Sequence, residues 1–388
     1  MSEQQLNESF AEDLFGVNQY APELPKKKQF LPWHKPRKHF VRQKQWCGEI
    51  LKLIEEIKPE DGILRYLGLP GDDLLDLRCF HHNICSPKKL ILKFFGFNYS
   101  ANSKSRSSIE LNISLNEVKS LPHVDPNSNI IGDNFCRIAN TSSLAFKESS
   151  KNGPYDVVNL DLCDGFGKID EKDLKESYYD AINQLLHLQA RRPKPWLFLL
   201  TTRTGEKHID LEKFERLKSI YLKNLIDCPE FLNHSQLKFV VSDSASLEKA
   251  IQNSEGLSNI FLVSLCKWIS KVTNKQAPPA TVKIKSAIDY KVEQEATHND
   301  IVSLAILITP TFNIQQDEFQ LSTKDPPPTQ DECKSALQAL NKIADAVDAD
   351  QKLSDNSELM TEITNNSKAL LEEARYDITV YEQWIKNA

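Results

Sequence analysis

The stretch YDVVNLDLCDGFG, residues 155–167, decides how this chain is read. Val157, Val158, Leu160 and Leu162 make a short apolar run, interrupted by Asn159 and Asp161 and stopped at Asp164, Gly165 and Gly167. Runs of this kind are strands buried on both faces of a parallel sheet, and ligands of open α/β sheets gather at the carboxyl ends of such strands. A carboxylate inside the run, just ahead of a glycine turn, lowers stability unless something pairs with it. Asn159, Asp161 and Asp164 are therefore the first candidates for a working site. The competing reading of the two acids is a turn or a helix cap.

Upstream of this stretch, residues 63–67 form a short apolar run that ends in GLPGDD, with a helix expected over 73–84. LILKFFGF (90–97) reads as a strand. The Ser/Asn-rich segment 103–129 contains SIELNISL, readable as a helix or an extra strand, and 129–131 leads into Gly132-Asp133. Downstream, 171–190 is helical with acids in its first turn, 196–200 is a strand, and 210–227 and 258–272 are helical. LKFVV (237–241) is a short apolar run without an assignment. Residues 281–292 and 301–312 read as two paired strands. Strands alternating with helices predict a mostly parallel sheet with right-handed crossovers, and the final pair predicts an antiparallel edge.

Pro326–Pro328 marks a boundary. Beyond it, Thr329 and Glu332 form a capping-box pattern before a helix over 331–347. A second helix over 357–386 carries Leu371, Ala374, Ile378, Tyr381 and Ile385 at 3,4,3,4 spacing, a narrow seam suited to a helical hairpin. These helices either pack on the parent domain or serve as a protein-docking or self-association element. The expected organisation is a flexible arm (1–30), a basic aromatic segment with a helix (31–60), a Rossmann-like α/β domain of three layers (61–320) and a C-terminal helical hairpin (329–388).

The chain has 388 residues, 40% of them hydrophobic, and a net charge of −6. Net charge alone gives no reason to expect a nucleic-acid or membrane partner. No apolar run reaches 18 residues and no basic-then-apolar leader opens the chain, so neither a transmembrane helix nor a signal peptide is expected. The eight cysteines, at 47, 79, 85, 136, 163, 228, 266 and 333, are scattered and suggest reduced thiols in a cytoplasm. Cys79, His81, His82 and Cys85 sit within seven residues. No second ligand pair lies nearby, which favours helix packing, and no metal is assigned. Neither a G-x-S-x-G elbow nor a G-x-x-x-x-G-K-[ST] loop is present.

Charge distribution says more than net charge. Residues 25–48 hold eight Lys/Arg and no acid, with Phe30, Trp33, Phe40 and Trp46 interleaved. Cations neutralise phosphates and aromatic rings stack on unpaired bases. Lys35, Arg37, Lys38, Arg42, Lys44 and Trp33 are the candidate nucleic-acid contacts. The alternative is a basic arm whose tryptophans fold back on the domain. His34 and His39 read as polar contacts.

The order of elements over roughly 60–315 resembles the class I S-adenosylmethionine-dependent methyltransferases, whose seven-stranded Rossmann-like sheet ends in an antiparallel pair. The resemblance implies S-adenosylmethionine as cofactor. It would place Gly68, Gly71 and Asp72 in the first-strand loop, Asn98 at the ribose, Asp133 at the adenine amine, and Asn159, Asp161 and Asp164 beside the methyl donor, orienting an acceptor amine. N-L-D-L-C-D-G-F is similar to that loop in methyltransferases of tRNA guanosine, which carry Asp-Pro, an aromatic and Gly. Three departures stand out. The first loop is G-L-P-G-D-D rather than G-x-G-x-G, Asn98 stands where the family has an acid, and no Pro follows Asp161. Two functions are thus expected: a divergent methyltransferase acting on or bound to nucleic acid, or a non-catalytic Rossmann-like scaffold subunit of a bacterial multi-protein complex, such as a defence complex.

Overall fold

The structure, a computed structural model, describes residues 25–102, 106–162, 165–166, 175–292, 298–311, 319, 321 and 331–386. The expected arm over 1–30 falls mostly outside the described residues, as do Cys163 and Asp164.

Among the described residues the strands are β1 (Ile63–Gly68), β2 (Ile91–Phe97), β3 (Asn129–Ile131), β4 (Val157–Asp161), β5 (Trp196–Arg203), β6 (Ala280–Tyr290), β7 (Ile301–Pro310) and β8 (Val347–Asp348). They join in one sheet of order β3-β2-β1-β4-β5-β7-β6-β8. The first five are parallel, and β7 inserts antiparallel between β5 and β6. This is the expected mostly parallel Rossmann-like sheet closed by an antiparallel pair. The register puts Gly68 beside Asn159, and Asp161 beside Thr201. β4 is buried along Val157–Leu160 because helices cover both faces.

Helices form the outer layers. SIELNISL lies in the helix Arg106–Ser120. LKFVV is no strand: the helix Pro229–Phe239 runs into it and stops where Val240 takes φ 59°. One face of the sheet packs Trp46, Ile50, Leu77, Phe80, Val157 and Leu199 against the helices of the first hundred residues. The opposite face packs Val158, Leu160, Ile182, Phe198 and Ile260.

The C-terminal helices flank the sheet, but on opposite faces rather than as a hairpin closed on itself. Glu332–Ala344 sets Ala336, Ala339, Leu340 and Ile343 against the core that holds Ile260 and Phe261. The chain then crosses the sheet edge as β8, which pairs parallel to β6 through Ile288↔Val347 and Asp289↔Asp348. Two residues are too short for any sequence period to announce. The expected single helix over 357–386 is two, Ser357–Glu373 and Ile378–Lys386. Arg375 at φ 67° breaks it and turns Tyr376 inward onto Phe30, ring centroids 5.3 Å apart. Backbone bonds Lys27 N–H to Arg375 C=O (2.8 Å) and Asp377 N–H to Lys27 C=O (2.9 Å) tie the two ends of the chain together.

The thiols are not all free. Cys228 and Cys333 form a disulfide, Cα–Cα 5.5 Å, against the expectation of reduced thiols throughout. The bridge joins residues 105 apart in sequence, so spacing carried no sign of it.

Candidate functional site

The carboxyl edge of β1, β2 and β4 gathers the residues that the sequence singled out. Strand alternation places Tyr66 and Gly68 of β1, and Asn159 and Asp161 of β4, on the face covered by the N-terminal helices. That cover is helical from 36 to 57: Pro36–Phe40, a π-helical stretch Val41–Cys47, then Gly48–Ile57. Gln45 Nε2 donates to the Ser303 carbonyl (2.9 Å) and Trp46 Nε1 to Ser303 Oγ (3.1 Å), which also accepts from Thr201 Oγ1 (2.9 Å). These bonds pin the helix across β5 and β7.

Pinned there, the helix turns its cations inward. Lys38 Nζ donates to Asp161 Oδ1 at 2.7 Å and lies 4.5 Å from the Trp46 ring centroid. Their side chains are 4% and 19% exposed. Burial alone would lower the Lys38 pKa, but the Asp161 carboxylate overrides it and raises it. Arg42 donates to Asp76 at 2.5 Å, and that carboxylate likewise overrides burial to raise the guanidinium. Burial raises the Tyr290 phenol, opposed by the adjacent Lys38. Burial also raises the Tyr66 phenol. The Tyr66 hydroxyl and the Asn159 amide are buried against one another, and the Asn159 side chain hydrogen-bonds the phenol.

The six expected nucleic-acid contacts divide accordingly. Lys38 and Arg42 are buried in ion pairs. Arg37 pairs with Asp350 at 3.0 Å and also reaches the Lys291 carbonyl. Lys35 lies 5.8 Å from the Trp384 ring centroid, and Lys44 pairs with Glu362 at 2.7 Å. Trp33 is 42% exposed. His39 is buried and held near pKa 3 by burial and by the charges of Arg42 and Lys44, so it is a neutral ring at neutral pH.

The expected cofactor contacts bond to one another. Asn98 Nδ2 donates to the Pro70 carbonyl (2.9 Å) and to Asp72 Oδ1 (3.0 Å), while its Oδ1 accepts from Ser100 N–H (2.8 Å). The Pro70 ring covers Gly96 so closely that a Cβ there would meet it at 3.0 Å. A Cβ on Gly68 would collide with the Tyr66 ring and hydroxyl, so the absence of a side chain here is what lets the tyrosine lie over the strand. Gly71 faces nothing within 4 Å. Asp133 accepts from Asn134 N–H at 2.8 Å and pairs with Arg137 at 3.5 Å. In this arrangement the residues do not fit S-adenosylmethionine: the amide of Asn98 is committed, the face of Gly68 is covered, and Asp161 is paired. Asp164 lies outside the described residues.

Sequence reasoning missed Tyr66, Asp76 and Tyr290, which complete this cluster. A signal for Tyr66 existed, since it stands two residues before Gly68 in the same strand and so on the same face. In the Cys79–Cys85 segment, Cys79 Sγ lies 3.8 Å from Cys47 Sγ, and His82 pairs with Glu373 at 2.7 Å.

The strand order and its closed carboxyl edge define the class: a Rossmann-like α/β protein with the methyltransferase arrangement of strands, extended by an edge strand, β8. Within that class, a family model matches residues 27–386, and the chain belongs to the PP_RS20740-like family. None of the curated proteins compared matches it. Among solved structures it is similar to one from Listeria monocytogenes whose own assignment as a class I S-adenosylmethionine-dependent methyltransferase is provisional. Identity is 11%, the match covers 81% of this chain and 69% of that one, and the TM-score is 0.34. Nothing functional is drawn from a likeness at that level. No helix among the described residues is long and apolar enough to cross a membrane.

Proposed function

We propose that this chain works as a non-catalytic Rossmann-like scaffold subunit. One observation carries the reading: the carboxyl edge, where such folds hold ligands, is filled by the chain's own Lys38–Asp161 pair beneath Trp46. Removing either charge would strand the other in a poorly solvated place. The edge therefore serves to fasten the N-terminal helix, and through Phe30 and Tyr376 the C-terminal helices as well.

A second reading is supported by a different observation. Asn159 is fully buried, and its bond with the Tyr66 hydroxyl leaves part of the amide's hydrogen-bonding capacity unmet, which a ligand would relieve. On that reading the chain is a divergent methyltransferase acting on nucleic acid, and the 36–57 helix must leave the edge for the cofactor to enter. Calorimetric titration with S-adenosylmethionine and its demethylated product separates the two. The scaffold reading expects no heat at millimolar ligand. Saturable heat that Asp133→Ala abolishes would overturn it in favour of the methyltransferase.

A further inference from the structure

Two buried thiols meet where the N-terminal helix crosses the helix Leu75–Phe80, and neither reading of the carboxyl edge uses them. Cys47 Sγ lies 3.8 Å from Cys79 Sγ, with 32 residues between them in sequence, and both side chains are buried. Cys47 belongs to the helical cover of the edge, and Cys79 to the helix that follows β1. The backbone around the pair is unusual. Among the described residues π-helical geometry occurs twice, at Val41–Cys47 and at His81–Cys85. Cys47 closes the first stretch, and Cys79 stands two residues ahead of the second. Such wide turns are rare and concentrate at functional sites.

The neighbours of the two sulfurs suit thiol exchange. Asn83 Nδ2 donates to the Cys79 carbonyl at 2.8 Å and to Cys79 Sγ at 3.5 Å. Arg42 lies close enough for the charge of Cys79 to act on its guanidinium. A cation and an N–H donor stabilise a thiolate as it forms. Burial pushes the Cys47 thiol well up, and the contact with Cys79 adds to this. While the helix is seated, Cys47 therefore stays protonated and out of reach of solutes, and reaction waits for the helix to lift. A disulfide holds its sulfurs about 2 Å apart, so the seated pair has only about 1.8 Å to close.

We propose that Cys47 and Cys79 are a redox latch, which a low-molecular-weight disulfide converts to a bridge that locks the N-terminal helix onto the carboxyl edge. In the first step the Cys79 thiolate attacks the small disulfide, whose S–S bond breaks and expels one small thiolate. In the second the Cys47 thiolate attacks the mixed disulfide at the Cys79 sulfur, forming the Cys47–Cys79 bond and expelling the other. The protein pair loses two electrons, the small disulfide gains them, and the two thiol protons end on the two small thiols. The closed loop restricts how far the helix can lift. This deepens the scaffold reading and rests on it for its consequence, a permanently filled edge, whereas the bridge itself is measured independently of that reading.

The test incubates the full chain, free of reductant and at mildly alkaline pH, with oxidised glutathione. Free thiols are then capped with N-ethylmaleimide and a non-reducing digest is read by mass spectrometry. The expected result is a peptide pair joined through Cys47 and Cys79 beside the Cys228–Cys333 pair, with amide exchange over residues 41–57 slowed roughly tenfold or more. Cys47→Ser should lose both effects. A thermal melt establishes that this variant is folded, and where it is not, the map of the parent chain decides alone. Capped thiols at both positions after treatment with about 10 mM oxidant overturn the inference. So do mixed disulfides alone, a bridge from either sulfur to another cysteine, or a Cys47–Cys79 bridge that leaves the exchange unchanged. The scaffold reading fails separately: heat from S-adenosylmethionine that Asp133→Ala abolishes overturns it whatever the map shows, and an absent bridge without such heat overturns only the latch.

Discussion

Arg37 and Lys38 are neighbours in sequence and reach two different places. Lys38 turns under Trp46 to Asp161 at the carboxyl edge of β4, whereas Arg37 reaches Asp350 at the rim of a cavity of about 850 Å3 beside β8, lined in part by Asp289, Asp348 and Ile343. The first place is closed: its carboxylates, Asp161 and Asp76, have cations from the same helix. The second keeps like charges together: Asp289 stands opposite Asp348, and the Asn299 side chain hydrogen-bonds both. The first place matches each acid with a cation, whereas the second sets a neutral amide between two acids.

The closed place is the one that costs most to break. Lys38→Ala should lower stability by on the order of 3 kcal/mol, because Asp161 loses its cation in a site largely shielded from water. The double substitution Lys38→Met/Asp161→Leu should recover most of that loss, since replacing both charges removes the desolvation cost as well. Urea unfolding of the three proteins measures both effects. Equal losses for the single and double variants would show that Asp161 is solvated well enough to stand alone, and the edge would count as open.

The second place has a strap of its own. The Cys228–Cys333 disulfide anchors the start of the helix that supplies Ile343 to the cavity floor. Closing a loop of 105 residues stabilises the folded state by about 2–4 kcal/mol, chiefly by restricting the unfolded chain. Reduction with a phosphine should therefore lower the unfolding midpoint. Cys228→Ser/Cys333→Ser should start from the lower value and ignore the reductant.

Next in size is the pH dependence of Asp289. Burial, then the charge of Asp348, raises its pKa to about 6 from an ordinary 3.8. Arg37, Lys291 and His298 line the same cavity, and Asp350 adds to the repulsion. The folded protein then holds this proton more tightly than the unfolded chain, so between about pH 4 and 6 folding takes up a proton. Its contribution to stability is complete below about pH 4 and is lost as the pH rises through 6. Asp289→Asn should therefore be more stable than the parent at pH 8 by roughly 1–2 kcal/mol and equal to it near pH 4. Melting curves at the two pH values check this. A variant that is less stable at pH 8 would mean that the hydrogen bond from Asn299 outweighs burial and the charge of Asp348.

Much of this was legible in the sequence. Val157–Asp161 within YDVVNLDLCDGFG is β4, and the order of strands and helices pointed to the class of the sheet. The carboxyl edge drew attention to Asn159 and Asp161, which do lie together. What pattern could not show was where the basic segment goes. Lys38 and Lys44 look alike in a run of cations, and only packing of Trp46 and Gln45 against Ser303 decides that one is buried. The cavity was illegible for a related reason. Asp289 and Asp348 are 59 residues apart, and the strand that brings them together is two residues long. The break at Arg375 was hidden because apolar spacing continues through it, although the chain turns there to seat Tyr376.

The smallest effect isolates the variable on which the comparison rests. Lys44 Nζ lies 2.7 Å from Glu362 Oε1, the same separation as Lys38 from Asp161. Residue type, distance and parent segment are thus matched. Exposure is not: the Lys44 and Glu362 side chains are 37% and 47% exposed. Water solvates either partner when the other is removed, and holding two long side chains in one geometry costs entropy, so Lys44→Ala should change stability by less than about 0.5 kcal/mol. The change should shrink further at 1 M salt, where exposed charges are screened within about 3 Å. The Lys38→Ala loss should persist at that salt, because few ions reach a pair beneath the indole. If the two lysines respond alike to mutation and to salt, burial is not what distinguishes the pairs, and the carboxyl edge of β4 is as accessible as the cavity beside β8.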